Sequence, residues 1–115
     1  LRKRLSNLVE TIVSAAEEKK ARDILVLDIR KLAGVTDYLV IMSGESAPQL
    51  KAIISEIEQR VKKEGIKGRS WEGAVNSGWL ILDLLDIVVH VMSEEERAYY
   101  DLEGIWGKEA IVYHV

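Results

Sequence analysis

The sequence predicts a mixed α/β (α+β) protein, with a sheet of about five strands and helices covering at least one face. Three observations carry this. Two stretches repeat apolar residues at spacings of three and four, the mark of an amphipathic helix. Four short apolar runs, Ile24–Leu27, Tyr38–Met42, Trp79–Leu84 and Ile87–Met92, are too short for core helices and read as buried strands. The order is helix, strand, strand, helix, strand, strand, strand, helix, which a mixed sheet accommodates.

The first helix spans residues 3–20, where Leu5, Leu8, Val9, Ile12, Val13 and Ala16 form one stripe and Glu10, Glu17, Glu18, Lys19 and Lys20 fall largely off it. Arg22-Asp23 breaks the pattern before the first strand. A connection from Asp28 to Thr36, containing Gly34, leads to the second. Ser46 then caps a helix with Pro48 in its first turn and Gln49 three residues after the cap. Leu50, Ile53, Ile54, Ile57 and Val61 line one face of that helix, and Gly65 stops it. Arg69–Glu72 reads as a short strand, followed by a loop bracketed by Gly73 and Gly78. The next two runs form an antiparallel hairpin with its turn at Leu84–Asp86. Ser93 caps a last helix whose opening residues Glu94, Glu95 and Glu96 suit the positive end of the helix dipole, and Gly104 and Gly107 interrupt it. The tail from Ala110 to Val115 is either an edge strand or a frayed end.

The length of 115 residues suits one domain, 1–115, with one ordinary core, and no internal repeat or linker divides it. With 48% apolar and 30% charged residues the chain reads as soluble and globular. Its net charge of -3 argues against nucleic-acid recognition driven by bulk positive charge. The absence of cysteine removes disulfides, thiolate zinc sites and cysteine nucleophiles together. No apolar run reaches the roughly 18 residues of a membrane span. The start, Leu1-Arg2-Lys3-Arg4, is basic but lacks the apolar core of a signal peptide, and with no Met at its head an upstream segment is expected. The expected compartment is the cytoplasm, or an organelle matrix if the source is eukaryotic.

Strand alternation separates the hairpin into two faces. Leu80, Leu82, Leu84, Ile87, Val89 and Val91 are all aliphatic and read as core. Trp79, Ile81, Asp83, Asp86, Val88, His90 and Met92 form the other face, which is half-exposed or covered by something polar. His90 falls across the strands from Trp79 or Ile81; a hydrogen-bonded histidine packed beside a Trp is the reading adopted, with a functional histidine as its alternative. Asp86 and His90 lie roughly 13 Å apart along one strand, too far to share a metal ion. Ser43-Gly44-Glu45-Ser46, at a strand-to-helix junction, offers backbone N–H groups to an anion but is neither a P-loop nor a dinucleotide fingerprint. No predicted strand carries two carboxylates two residues apart, the arrangement that metal-assisted nucleotide transfer requires. No cofactor and no catalytic residue is therefore assigned, and the chain is not read as an enzyme.

The last third is unusual in another way. Trp71, Trp79, Tyr99, Tyr100, Trp106 and Tyr113 crowd together there, while only Tyr38 precedes them and Phe is absent. Aromatic residues with a polar tip are enriched at interface centres. Tyr99 and Tyr100 are adjacent, so one helix cannot bury both on one stripe. The alternative is that these aromatics pack a small second core, an even choice for Trp71 and Trp106.

Several motifs resemble those of the ribosomal silencing factor RsfS (Iojap) family. They are Lys20–Asp28, Thr36–Gly44, Glu72-Gly73, Gly78–Met92, Glu95-Glu96-Arg97, Tyr100–Glu103 and Ile105-Trp106-Gly107, in family order over nearly the whole chain. The resemblance implies a fold related to nucleotidyltransferases but without their catalytic carboxylates. It implies binding to the large ribosomal subunit through ribosomal protein L fourteen, steric blocking of small-subunit joining, and lowered translation when nutrients are short. By motif position the family's contact residues map onto Trp79, Leu80 and Tyr100, with neighbouring Arg97, Leu102 and Glu103 as further candidates. One departure stands out: the family usually has Gly where this chain has Leu85. Leu is strained at positive φ, so the hairpin turn is expected to be longer or of another type. Two other functional classes stay open on the residues alone: a nucleotidyltransferase-class enzyme using Ser43–Ser46, and a homodimeric module whose aromatic patch is the dimer contact.

Overall fold

In the computed structural model, which describes residues 2–31, 36–66 and 71–114, every apolar run becomes a strand and every amphipathic stretch a helix. The elements are α1 (Arg2–Glu18), β1 (Arg22–Asp28), β2 (Tyr38–Gly44), α2 (Ala47–Lys63), β3 (Trp71–Ala74), β4 (Trp79–Asp83), β5 (Ile87–Ser93), α3 (Glu94–Tyr100), α4 (Leu102–Trp106) and β6 (Ile111–His114). The connection around Gly34, and the Arg69 and Ser70 part of the expected short strand, lie outside the described residues. The strand that follows runs instead through Gly73 to Ala74.

The sheet has six strands in the order β3-β4-β5-β2-β1-β6, one more than expected, because the tail pairs antiparallel with β1 as an edge strand. Only β2 and β5 run parallel, and α2 makes the first part of the crossover between them. All other neighbours are antiparallel.

Helices α1 and α2 cover one face. Ile12, Ala16, Leu50, Ile53, Ile57 and Val61 meet Ile24, Val26, Val40, Met42, Leu82, Ile87, Val89 and Val91 there. Each large aliphatic side chain fully withdrawn from water contributes about 1.5–3 kcal/mol, so this layer dominates the stability. The N-terminus of α2 is closed as its sequence predicts. Ser46 Oγ accepts from the Gln49 N–H at 3.2 Å, and Gln49 Oε1 accepts from the Glu45 N–H at 2.6 Å.

The opposite face is covered unevenly. Leu25, Leu27, Leu39, Ile41 and Met92 form a smaller cluster over β1 and β2, closed by Ala110 and flanked by Leu102 and Trp106. Of the two Trp residues left open above, Trp106 packs on this second cluster and Trp71 on the larger one. On β5 this face buries Met92 in the second cluster, with Trp79 and Val88 packed against it, and leaves Ile81 and His90 half-buried.

One local expectation is corrected, and another is decided between its two alternatives. The last helix is broken not at Gly104 but at Asp101, which sits at φ 44° between α3 and α4, while Gly104 lies inside α4. The hairpin turn is not lengthened: Leu84 N–H donates to Ile87 O at 2.8 Å, leaving only Leu85 and Asp86 between the paired residues. Leu85 takes φ 73°, with Asp86 N–H donating to Leu84 O across it, the hydrogen bond of a γ-turn. Asp83 Oδ1 accepts from the Leu85 N–H at 2.8 Å. A side-chain acceptor and the hairpin register thus hold a non-glycine residue where Gly is the unstrained choice.

Candidate partner-binding face

The site is built on the Trp79 side of the β4–β5 hairpin. The register pairs Trp79 with Met92, Ile81 with His90 and Asp83 with Val88, so these side chains share one face as strand alternation requires. The two alternatives for His90 resolve together: Ile81 is its directly opposed partner, while the Trp79 ring lies diagonally against it. Trp79 Nε1–H donates to His90 Nδ1 at 2.9 Å, with ring centroids 5.9 Å apart. Accepting at Nδ1 requires the neutral ring with its proton on Nε2. Burial lowers the imidazole's pKa from its ordinary 6.5 to about 4, which keeps it neutral near pH 7.

Helix α3 starts at the end of β5. Ser93 Oγ accepts from the Glu96 N–H at 3.1 Å, the cap read from the sequence. The helix brings the Tyr100 ring to 4.8 Å from that of Trp79, and the Tyr99 ring stands edge-on to Tyr100 at 4.9 Å. Both tyrosines are open, Tyr99 at 81% exposure and Tyr100 at 47%. Ile105 on α4 is 68% exposed. Trp79, Ile81, Val88 and His90 are half-buried. This apolar, aromatic area carries exposed acids from Glu72 on β3 and Asp83 at the end of β4, with Glu95 and Asp101 exposed on and after α3.

The six residues mapped from family motifs therefore divide. Trp79 and Tyr100 stand together on the open face. Leu102 is half-buried beneath it, against the second cluster. Leu80 lies on the other side of β4, only 5% exposed, because alternation turns it to the same side as Leu82. Arg97 is 8% exposed and its guanidinium is engaged inside the protein, with Nε donating to Glu103 Oε2 at 3.1 Å. Glu103 is half-buried and turned toward that arginine. Residues 79, 80, 97 and 103 all belong to motifs, so motif position alone cannot say which of them face outward. Tyr99 and the Ile81–His90 pair belong to the face but were not among the mapped residues. Their signals were present, in the adjacent tyrosines and in strand alternation.

The alternative chemistry finds no footing among the described residues. The N–H donors around Ser43–Ser46 are turned inward onto Gln49 and Ser46, and a Cβ at Gly44 would sit 2.9 Å from Leu50 Cδ2. The Ser43 hydroxyl is buried and donates to Arg22 O at 3.2 Å. No group of three or more His, Asp or Glu side chains there is placed to hold a metal ion. No helix there is long and apolar enough to cross a membrane.

Fold and face together define a small α+β protein whose mixed sheet presents an aromatic patch formed by Trp79, Tyr99 and Tyr100. Comparison with known proteins identifies the kind of contact. A family described as "Ribosomal silencing factor during starvation" matches residues 2–114. The ribosomal silencing factor RsfS of Bacillus subtilis is 39% identical over 101 residues, spanning 88% of this chain and 86% of that protein. The chloroplastic Iojap protein of Zea mays is 37% identical over 97 residues, covering 84% of this chain and 42% of that one. A crystal structure of a Chromobacterium violaceum protein superposes with a TM-score of 0.83 at 30% identity, covering 94% of this chain and 92% of the other. The chain belongs to the ribosomal silencing factor (RsfS/Iojap) family, whose members are non-catalytic regulators that repress translation.

Proposed function

We propose that this chain, acting as one unit over residues 1–115, docks on the large ribosomal subunit through ribosomal protein L fourteen and blocks joining of the small subunit. The observation that carries the reading is the open aromatic face. The Trp79 and Tyr100 rings meet at 4.8 Å in a tilted contact, with Trp79 half-buried and Tyr100 exposed. Aromatic side chains on a rigid base are the residue type that dominates interface energetics. The acids around them, Glu72, Asp83, Glu95 and Asp101, suit a basic protein partner and would speed encounter with it. Silencing by occlusion needs only affinity and bulk. The catalytic carboxylates of a nucleotidyltransferase scaffold would be dispensable for it, and no described strand carries two carboxylates two residues apart. The work would be done in the bacterial cytoplasm, or in an organelle matrix for a eukaryotic source.

The test is a subunit-joining assay. Separated ribosomal subunits are mixed with the protein and resolved on sucrose gradients. Co-migration with the large subunit and accumulation of free subunits are expected. Trp79→Ala and Tyr100→Ala should each weaken binding by about 2 kcal/mol or more, roughly thirty-fold in Kd, with the fold intact. Unchanged affinity in both variants would refute the assignment of this face. Sedimentation of the protein alone at several concentrations reads whether the same face also joins two copies.

A further inference from the structure

Helix α3 is seven residues long, too short to hold its shape without tertiary anchors. Yet Tyr100, at its last turn, stands in a defined contact with Trp79. Something fixes the helix. At its start the anchor is Ser93. One turn before Tyr100 it is Arg97, the one basic residue between 94 and 106.

The guanidinium reaches three separate parts of the chain. Nε donates to Glu103 Oε2 on α4 at 3.1 Å. Nη1 donates to the carbonyl of Arg22 on β1 at 3.3 Å and to Ser43 Oγ on β2 at 3.4 Å. The Arg22 carbonyl lies where β1 is irregular. Its pairing with β2 shifts register between Arg22 and Leu25, and Asp23 takes φ 47°. Ser43 Oγ accepts from Arg97 while donating to the same carbonyl, so the hydroxyl, the carbonyl and the guanidinium form one closed set. The Arg97 side chain is nine-tenths buried. At the far end of the turn, Asp101 N–H donates to Arg97 O, closing α3 where the chain bends into α4.

We infer that Arg97 is a positioning residue, a buried clamp that ties α3 and α4 to the sheet and thereby seats Tyr100 against Trp79, and that it makes no contact with the partner itself. The inference rests on the proposed role of the aromatic face for its binding consequence, but not for its structural one. Residues 97 and 100 are three apart and lie on neighbouring sides of the helix, so holding one fixes the direction of the other. Lys could not replace the clamp, since one ammonium cannot match the planar fork that reaches β1, β2 and α4 at once.

The test has two arms. In the free protein, nuclear Overhauser contacts between the Trp79 indole and the Tyr100 ring are measured for the unaltered chain, Arg97→Met and Arg97→Lys. Both variants are expected to lose or weaken this contact while the core of α1, α2 and the sheet keeps its spectrum. In the second arm, binding to purified large subunits is measured for Arg97→Met, Tyr100→Ala and the double variant. Arg97→Met is expected to weaken binding by about ten-fold, and the double variant to bind no worse than Tyr100→Ala, because a residue that acts through Tyr100 has nothing left to position. If Arg97→Met does not fold, Arg97→Lys enters the same cycle. Losses that multiply would mean Arg97 touches the partner, and an undisturbed Trp79–Tyr100 contact would mean the clamp does not seat the ring. Either overturns the inference. If Tyr100→Ala itself binds normally, the proposed face is wrong, and the spectroscopic arm still decides the clamp.

Discussion

Acidification from about pH 7.5 to about pH 5 should destabilise this fold through one imidazole. His90 is neutral in the folded chain because its Nδ1 accepts the Trp79 indole proton and burial disfavours its charged form. Its pKa falls from the ordinary 6.5 to about 4. A lowered histidine pKa means that the unfolded chain binds the proton more readily, so stability rises with pH between those two values and is lost as pH falls through them. Linkage gives a loss of about 2 kcal/mol at pH 5 and about 3 kcal/mol once pH drops below the folded value. For a chain of this size the first figure corresponds to about 8 °C in Tm. Carboxylates titrate over an overlapping range, so the measurement is a difference. Urea unfolding is followed from pH 7.5 to pH 4.5 for the unaltered protein and for His90→Gln, which keeps an acceptor for Trp79 but does not titrate. The gap between the two curves should change by about 2.5 kcal/mol across the range. Parallel curves would refute the argument, because they would mean that His90 is charged as easily in the folded chain as in the unfolded one.

The other predictions concern single positions. Leu85→Gly should raise stability by about 0.5–1 kcal/mol by urea unfolding, since relief of about 1–2 kcal/mol of strain at φ 73° outweighs the added freedom of glycine in the unfolded chain, and the Leu85 side chain is 60% exposed; a loss of stability would show that the turn is not strained. Gly78→Ala should cost about 2 kcal/mol or more and loosen α3, because Gly78 has φ 75° and a Cβ there would lie 2.8 Å from the Ser93 hydroxyl that caps the helix; faster amide exchange at Glu96 is the readout. Ile57→Ala, in the wholly buried layer, should cost about 2–5 kcal/mol in unfolding, whereas Ile105→Ala, at a 68% exposed position, should change stability by less than about 0.5 kcal/mol.

Much of this molecule was legible along the chain because its signals are local. The capping pair Ser46 and Gln49, the stripe from Leu50 to Val61, the apolar runs of β2, β4 and β5, and the Ser93 cap each follow from residues within one or two turns or one strand. Strand alternation separated the two faces of the hairpin, including which face would carry Trp79 and His90, before any register was known. What escaped were features decided by distant partners. The tail after Ala110 reads as strand or fray, and the free edge of β1 resolves it. The break at Asp101 looks unnecessary when Gly104 is nearby, but Arg97 must reach Glu103 and the sheet, which sets where the helix bends.

Most of the elements, their caps, the core faces of the helices and of the hairpin, and the family resemblance are written in the chain itself, because hydrophobic period, capping chemistry and motif order are properties of neighbouring residues. The tertiary structure alone decided which motif residues are surface and which are support. Trp79 and Leu80 are adjacent in the chain and end on opposite sides of a sheet. Arg97 and Tyr100 are one helical turn apart, yet one is buried in a clamp and the other is open to solvent. Exposure is set by what packs above a residue, and for Arg97 that is contributed by Arg22 and Ser43, 75 and 54 positions away.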